Sequence, residues 1–111
     1  MLPVKHDMTA YQGEYITLTI GFDSVVDAED VFACVRRYSW DDEIISRFVI
    51  TNSEQPLSDG EKSKLDLTLD TNLIDSGTYF WDLFKWAGNR PVKCLVKGKI
   101  IIEQGISNRG K

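Results

Sequence analysis

Apolar and polar positions alternate along most of this chain with a period of two, the spacing of half-buried strands. Ile16, Leu18 and Ile20 alternate with Thr17 and Thr19. Residues 21–30 interrupt the pattern with acids and a Val25-Val26 pair, after which Val31, Ala33 and Val35 alternate with Phe32, Cys34 and Arg36. The polar interval 39–43 reads as a hairpin loop. Residues 44–51 then read as one strand with Phe48 and Ile50 on one side and Arg47 and Val49 on the other. A long polar loop over 52–61 precedes Leu65, Leu67 and Leu69, which alternate with Asp66, Thr68 and Asp70 and so predict one dry and one acidic, solvated face. After the Asp70-Thr71-Asn72 turn, residues 77–86 form the most aromatic strand of the chain, and Ala87-Gly88-Asn89-Arg90 closes the next hairpin. Val92, Cys94 and Val96 alternate with Lys93, Leu95 and Lys97; Gly98 interrupts, and 99–103 continue as a strand. An isolated glycine inside such a pattern predicts a bulge or sharp bend, with a tight hairpin as the alternative.

About seven short strands, turn signals every ~8–12 residues and no stripe of 3.6-residue period predict an all-β antiparallel sandwich. The stretch Asp75-Ser76-Gly77-Thr78-Tyr79-Phe80-Trp81 makes that sandwich immunoglobulin-like: a turn places a tyrosine at the corner, and a core residue follows two positions later. In antibody-like domains this second position is a bridged cysteine; here it is Trp81. Residues 1–106 are expected to form one domain and 107–111 a frayed polar tail.

Composition supports a single core, with 111 residues, 12.6 kDa and 42% hydrophobic side chains. A net charge of −4 and a pI near 4.9 argue against a nucleic-acid partner, because neutralised phosphates supply most of that affinity. No apolar run approaches the roughly 20 residues that span a bilayer, and the first residues lack the apolar region of a signal peptide. The expectation is a chain made and kept in a cytoplasm, with no membrane partner. Cys34 and Cys94, 60 positions apart, match neither zinc spacing nor a disulfide-dense scaffold. Both are read as reduced core residues, a cross-sheet bridge being the other reading.

If Trp81 points inward, Tyr79 and Leu83 share its face, while Phe80, Asp82, Phe84 and Trp86 point the other way. Phe80, Phe84 and Trp86 are therefore the candidate binding residues. Either they form a docking surface, or a neighbouring segment, 52–61 or 2–11, folds over them. Asp82 lies among these aromatics, where desolvation raises a carboxyl pKa, yet a lone acid does not make paired-carboxylate chemistry. Asp41-Asp42-Glu43 lacks the glycine and distal glutamate of an EF-hand and reads as a solvated acidic loop. His6 is the single histidine, which leaves no imidazole triad or histidine-rich metal site, and no glycine-rich phosphate loop precedes a helix. No catalytic residue, cofactor or metal is expected. Lys93, Lys97 and Lys99, with Arg90, read as one basic edge that meets an acidic partner or discourages edge-to-edge aggregation.

Over 75–81 the chain resembles antibody-like variable domains. A broader resemblance is carried by Gln12-Gly13-Glu14 before the Ile-Leu-Ile strand, then Leu65-Asp66-Leu67-Thr68-Leu69, Leu73, Gly77, Tyr79 and Trp81-Asp82-Leu83. It finishes at Leu95, Gly98, Ile100 and Ile102. In this order and spacing the chain resembles the small immunoglobulin-like structural domains of tailed bacteriophages, among them the amino-terminal domain of siphophage baseplate upper proteins. The resemblance implies a non-enzymatic tail or baseplate module made in the bacterial host cytoplasm, with other virion proteins or its own copies as partners. Such domains often continue into an attachment segment, so a chain ending at Lys111 is expected to be a stand-alone virion component or an accessory protein. The alternative is a carbohydrate-binding module for host attachment, in which Trp40 beside Asp41 and Asp42, or Trp86 near Asn89, stacks on sugar rings. An exported antibody-like surface domain ranks third.

Overall fold

The leucines of the acidic strand are fully covered by a second sheet: Leu65, Leu67 and Leu69 are each 0% exposed. The structure is a computed structural model and describes residues 4–38, 40, 43–72 and 74–104. Among these residues the chain runs through β1 (Val4–Lys5), β2 (Met8–Tyr11), β3 (Tyr15–Phe22), a 3-10 turn (Ala28–Asp30) and β4 (Val31–Arg36). It continues through β5 (Ser46–Arg47), β6 (Val49–Asn52), β7 (Ser63–Asp70), β8 (Gly77–Ala87) and β9 (Arg90–Glu103). The six-stranded sheet has the order β1-β9-β8-β4-β5, with β2 also on β9; the three-stranded sheet is β3-β7-β6. The result is an all-β, immunoglobulin-like sandwich, its β4-β8-β9 and β3-β7-β6 neighbours arranged as the C-F-G and B-E-D strands of that fold.

Between the sheets lie Val31, Ala33 and Val35 from β4, Tyr79, Trp81 and Leu83 from β8, and Val96, Ile100 and Ile102 from β9. They pack against the β7 leucines and Ile16. The corner forms as the sequence predicts: the Tyr79 hydroxyl donates to the Asp75 carbonyl at 2.7 Å. Trp81 is 2% exposed, lies 5.2 Å from the Phe48 ring and donates its indole N–H to the His6 carbonyl at 2.9 Å. Beside this corner the fully buried Thr71 ties the β2–β3 turn to β7. Its hydroxyl donates to the Glu14 carbonyl (2.6 Å) and accepts from the Gly13 N–H (3.0 Å), where Gly13 takes a φ of 98° that favours glycine.

Several expectations are corrected. Residues 44–51 are not one strand: β5 pairs with β4 in the larger sheet, and β6 pairs with β7 in the smaller. The chain changes sheet at Phe48, whose N–H still donates to the Ala33 carbonyl while its ring enters the core at 6% exposure. Residues 4–11 are not a cover, because β1 and β2 pair in parallel with β9. Consequently β9 is interior to its sheet from Val96 onward, so Lys97 and Lys99 guard no edge, while Lys93 lies before the stretch that β1 covers. Gly98 is neither bulge nor hairpin turn, since it sits in regular register opposite Trp81. A side chain there would overlap the His6 carbonyl, so glycine lets the first strands come close. The irregularities lie instead between Leu83/Phe84 and Lys85/Trp86, where β9 carries one extra residue each time. Leu73 and the tail 107–111 fall outside the described residues.

Candidate functional site

Because β8 is hydrogen-bonded to β4 on one side and β9 on the other, its outward side chains occupy the middle of the larger sheet. The phase is as alternation predicts: Tyr79, Trp81 and Leu83 are at most 4% exposed, whereas Phe80, Asp82, Phe84 and Trp86 are half-buried on the outer face. Register sets Arg36 opposite Phe80 and Phe32 opposite Phe84 on β4; on β9 it sets Lys99 opposite Phe80 and Lys97 opposite Asp82.

Among the described residues, neither expected cover lies over this face. The stretch after β6 is held near β7 and the end of β3, by Lys62 N–H to the Phe22 carbonyl (2.7 Å) and Lys64 Nζ to the Pro56 carbonyl (2.8 Å). The first strands extend the sheet sideways, and from them Lys5 reaches the rim of the face. The aromatics instead shield one another: Phe32 meets Trp86 edge to face at 5.5 Å and 79°. Near the β4–β5 connection, Tyr38 and Trp40 stack at 5.0 Å and 8°, with Trp40 76% exposed.

Two shallow hollows flank Asp82 and Phe84. One of about 570 Å³ is bordered by Phe32, Trp40, Arg47 and Trp86, the other of about 670 Å³ by Lys5, Phe80, Lys97 and Lys99; Arg36 and Asp82 line both. The face thus carries Lys5, Arg36, Arg47, Lys97 and Lys99 around Asp82, a basic surface on a chain of net charge −4. The residues that the sequence reading left unassembled here are Phe32, Arg36 and Arg47. Their signal was parity: once Val31, Ala33 and Val35 face inward, Phe32 and Arg36 must face out. Only the β5 pairing, invisible in a two-residue strand, brings in Arg47.

Asp82 lies 3.7 Å from Arg36. Burial pushes its carboxyl above the usual range, and Arg36 offsets this only in part. A carboxyl raised in the folded state lowers stability when ionised; that cost is fully present above the folded pKa and vanishes as pH falls below the unfolded one. Asp82→Asn is therefore expected to be at least as stable as the parent at pH 7. Its advantage should shrink as pH falls through the carboxylate range near 4, which urea unfolding at a series of pH values checks.

The cysteines are free, as expected, but half-buried on this outer face rather than in the core. Cys34 is opposite Asp82 and Cys94 opposite Phe84, so β8 separates them by two strand spacings, about 10 Å. That exceeds the reach of a disulfide, which removes the cross-sheet bridge. Burial raises both thiol pKa values; near Cys34 the guanidinium groups of Arg36 and Arg47 pull the other way. Cys94 reaches outward because β9 bulges at Leu95, shifting the alternation that grouped it with Val96.

Asn89 sits with Gly88 (φ 61°) in the two-residue hairpin turn beyond Trp86. Asp41 and Asp42 lie outside the described residues. Among the described residues, no group of three or more His, Cys, Asp or Glu gathers to hold a metal ion. Nor is any helix there long and apolar enough to cross a membrane. No protein-family model matches the chain. Comparison with curated proteins gives no match either.

Proposed function

We propose that this chain is a non-enzymatic structural or assembly module of a phage tail or baseplate, acting through protein–protein contacts on the outer face of the larger sheet. The observation that carries the proposal is the uncovered strip of Phe80, Phe84 and Trp86, joined by Phe32 and ringed by cations. Half-buried aromatics and arginines in such a patch are the residue types that dominate interface energetics. The end-to-end resemblance to phage immunoglobulin-like domains supplies the setting. Glycan binding is the second reading, favoured by Trp40 and Trp86 bordering a hollow that also presents Asp82, Arg36 and Arg47.

Phe84→Arg tests the first reading. Its expected outcome is loss of association, followed by sedimentation velocity alone and in mixtures with tail and baseplate proteins, with the melting temperature unchanged. A collapse of stability with no separate effect on association sinks it. Trp86→Ala separates the readings: glycan-array binding abolished by this change favours the carbohydrate module, and subunit association abolished by it favours assembly.

A further inference from the structure

We infer that β3 is a self-pairing edge, by which two copies of the chain join their smaller sheets across a two-fold axis. This goes beyond the outer aromatic face and does not depend on it.

Sheet edges present unpaired backbone groups, and proteins guard them by keeping edge strands short or by placing charges, prolines or bulges there. Other edges among the described strands follow that rule: where β9 runs before Val96, beyond β1, it carries Arg90, Pro91 and Lys93. The larger sheet ends in β1 and β2, of two and four residues, and in β5, of two; β6, at one side of the smaller sheet, has four. β3 is the exception. It is eight residues long, pairs with β7 throughout its length, and no described strand lies on its other side. Its sequence, Tyr15-Ile16-Thr17-Leu18-Thr19-Ile20-Gly21-Phe22, holds no charge and no proline. The described part of the amino-terminal segment cannot cover it, because β2 is committed to β9 and reaches β3 only through the turn at Gly13.

The hydrogen-bond phase identifies which groups are offered. The Glu14 carbonyl accepts from the Thr71 N–H at 3.2 Å, in step with the β3–β7 register, so alternation turns the backbone of Ile16, Leu18 and Ile20 toward β7. On the far side of β7, the Ser53 N–H donates to the Lys64 carbonyl at 3.0 Å, which fixes the same phase. Tyr15, Thr17 and Thr19 therefore direct their N–H and C=O groups outward. Antiparallel pairing about Thr17 matches Tyr15 with Thr19 of the second copy and Thr17 with itself, each as a hydrogen-bonded pair. Glu61, whose side chain lies against Gly21, stays at the far end, away from the axis.

Charge selects a second copy over a charged partner segment: the pairing stretch is neutral, so copies meet there without the repulsion that a net charge of −4 produces elsewhere. Leu18, Ile20 and Phe22 are only partly buried along a cleft open toward Leu95, giving the contact apolar area beside the ladder. A two-fold contact closes on itself, so a discrete dimer is expected and not a fibre.

Thr17→Pro removes an outward N–H without touching the β7 ladder, and Thr17→Lys sets like charges opposite each other on the axis. Each variant is expected to weaken dimerisation in sedimentation velocity by about tenfold or more. Far-ultraviolet circular dichroism should be unchanged for Thr17→Lys even if proline perturbs the strand. In the parent, amide exchange at Thr17 and Thr19 should slow as concentration rises. The inference is overturned by a parent that stays monomeric at all concentrations, by open-ended aggregates, or by a dimer indifferent to Thr17→Lys. A dimer lost only in Phe84→Arg assigns self-contact to the aromatic face and overturns it too.

Discussion

Trp81→Ala is expected to lower the unfolding free energy by about 3–5 kcal/mol, the range for deleting a large aromatic from a core. Domains of this size have a total stability of roughly 5–15 kcal/mol, so the variant should be partly unfolded or nearly so at 37 °C. The size of the effect follows from position. The ring is 2% exposed, packs on Phe48 where the chain changes sheet, and holds the His6 carbonyl. It occupies the site of a bridging cysteine in antibody-like domains, so its volume does here what a covalent bond does there. Trp81→Phe keeps most of the packing and loses the donor; at about 0.5–1.5 kcal/mol for a lost hydrogen bond, it should fall well short of the alanine variant. Equilibrium denaturation of both decides, and a loss below ~1 kcal/mol for Trp81→Ala would contradict the core assignment.

Gly98→Ala should have the second largest effect, although it adds one methyl group to a strand in ordinary register. The new carbon overlaps the His6 carbonyl and comes within 3.0 Å of Asp7 Oδ1. Backbone cannot swing aside as a side chain can. To relieve the overlap, the link between β1 and β2 must lift from β9. That strains the His6 N–H to Lys97 carbonyl bond (2.8 Å), the Lys99 N–H to Asp7 bond (2.9 Å) and the Trp81 indole bond together. Overpacking of this kind costs about 1–3 kcal/mol. Denaturation should show that loss, with amide exchange accelerated over residues 8–11. An unchanged stability would mean that the first strands contribute nothing to the fold.

These two residues mark the limits of legibility in the sequence. Trp81 was readable, because the tyrosine corner and period-two alternation are local signals, and from them the facing of the whole aromatic strand follows. Gly98 was not: its reason is a carbonyl from residue 6, more than ninety positions away, and a lone glycine looks the same whether it makes a bulge or admits a neighbour. Likewise the sheet change at Phe48 left no mark, since alternation continues through it while the pairing partner changes from β4 to β7. The site was half legible. Phe80, Phe84 and Trp86 came from one strand's parity, but the cations around them come from four further strands, and sequence spacing holds no record of lateral register.

The parallel pairing of β1 and β2 with β9 also orders events as the chain is made. Val4 must find Val96 and Tyr11 must find Glu103, so β1 and β2 cannot settle until β9 exists. Such long closures carry the largest entropy cost and are the slowest contacts to form. A nascent chain therefore carries the β1–β2 segment unplaced until β9 has been made. Until that segment docks, the indole N–H of Trp81 lacks its acceptor and the outer side of β9 stands open.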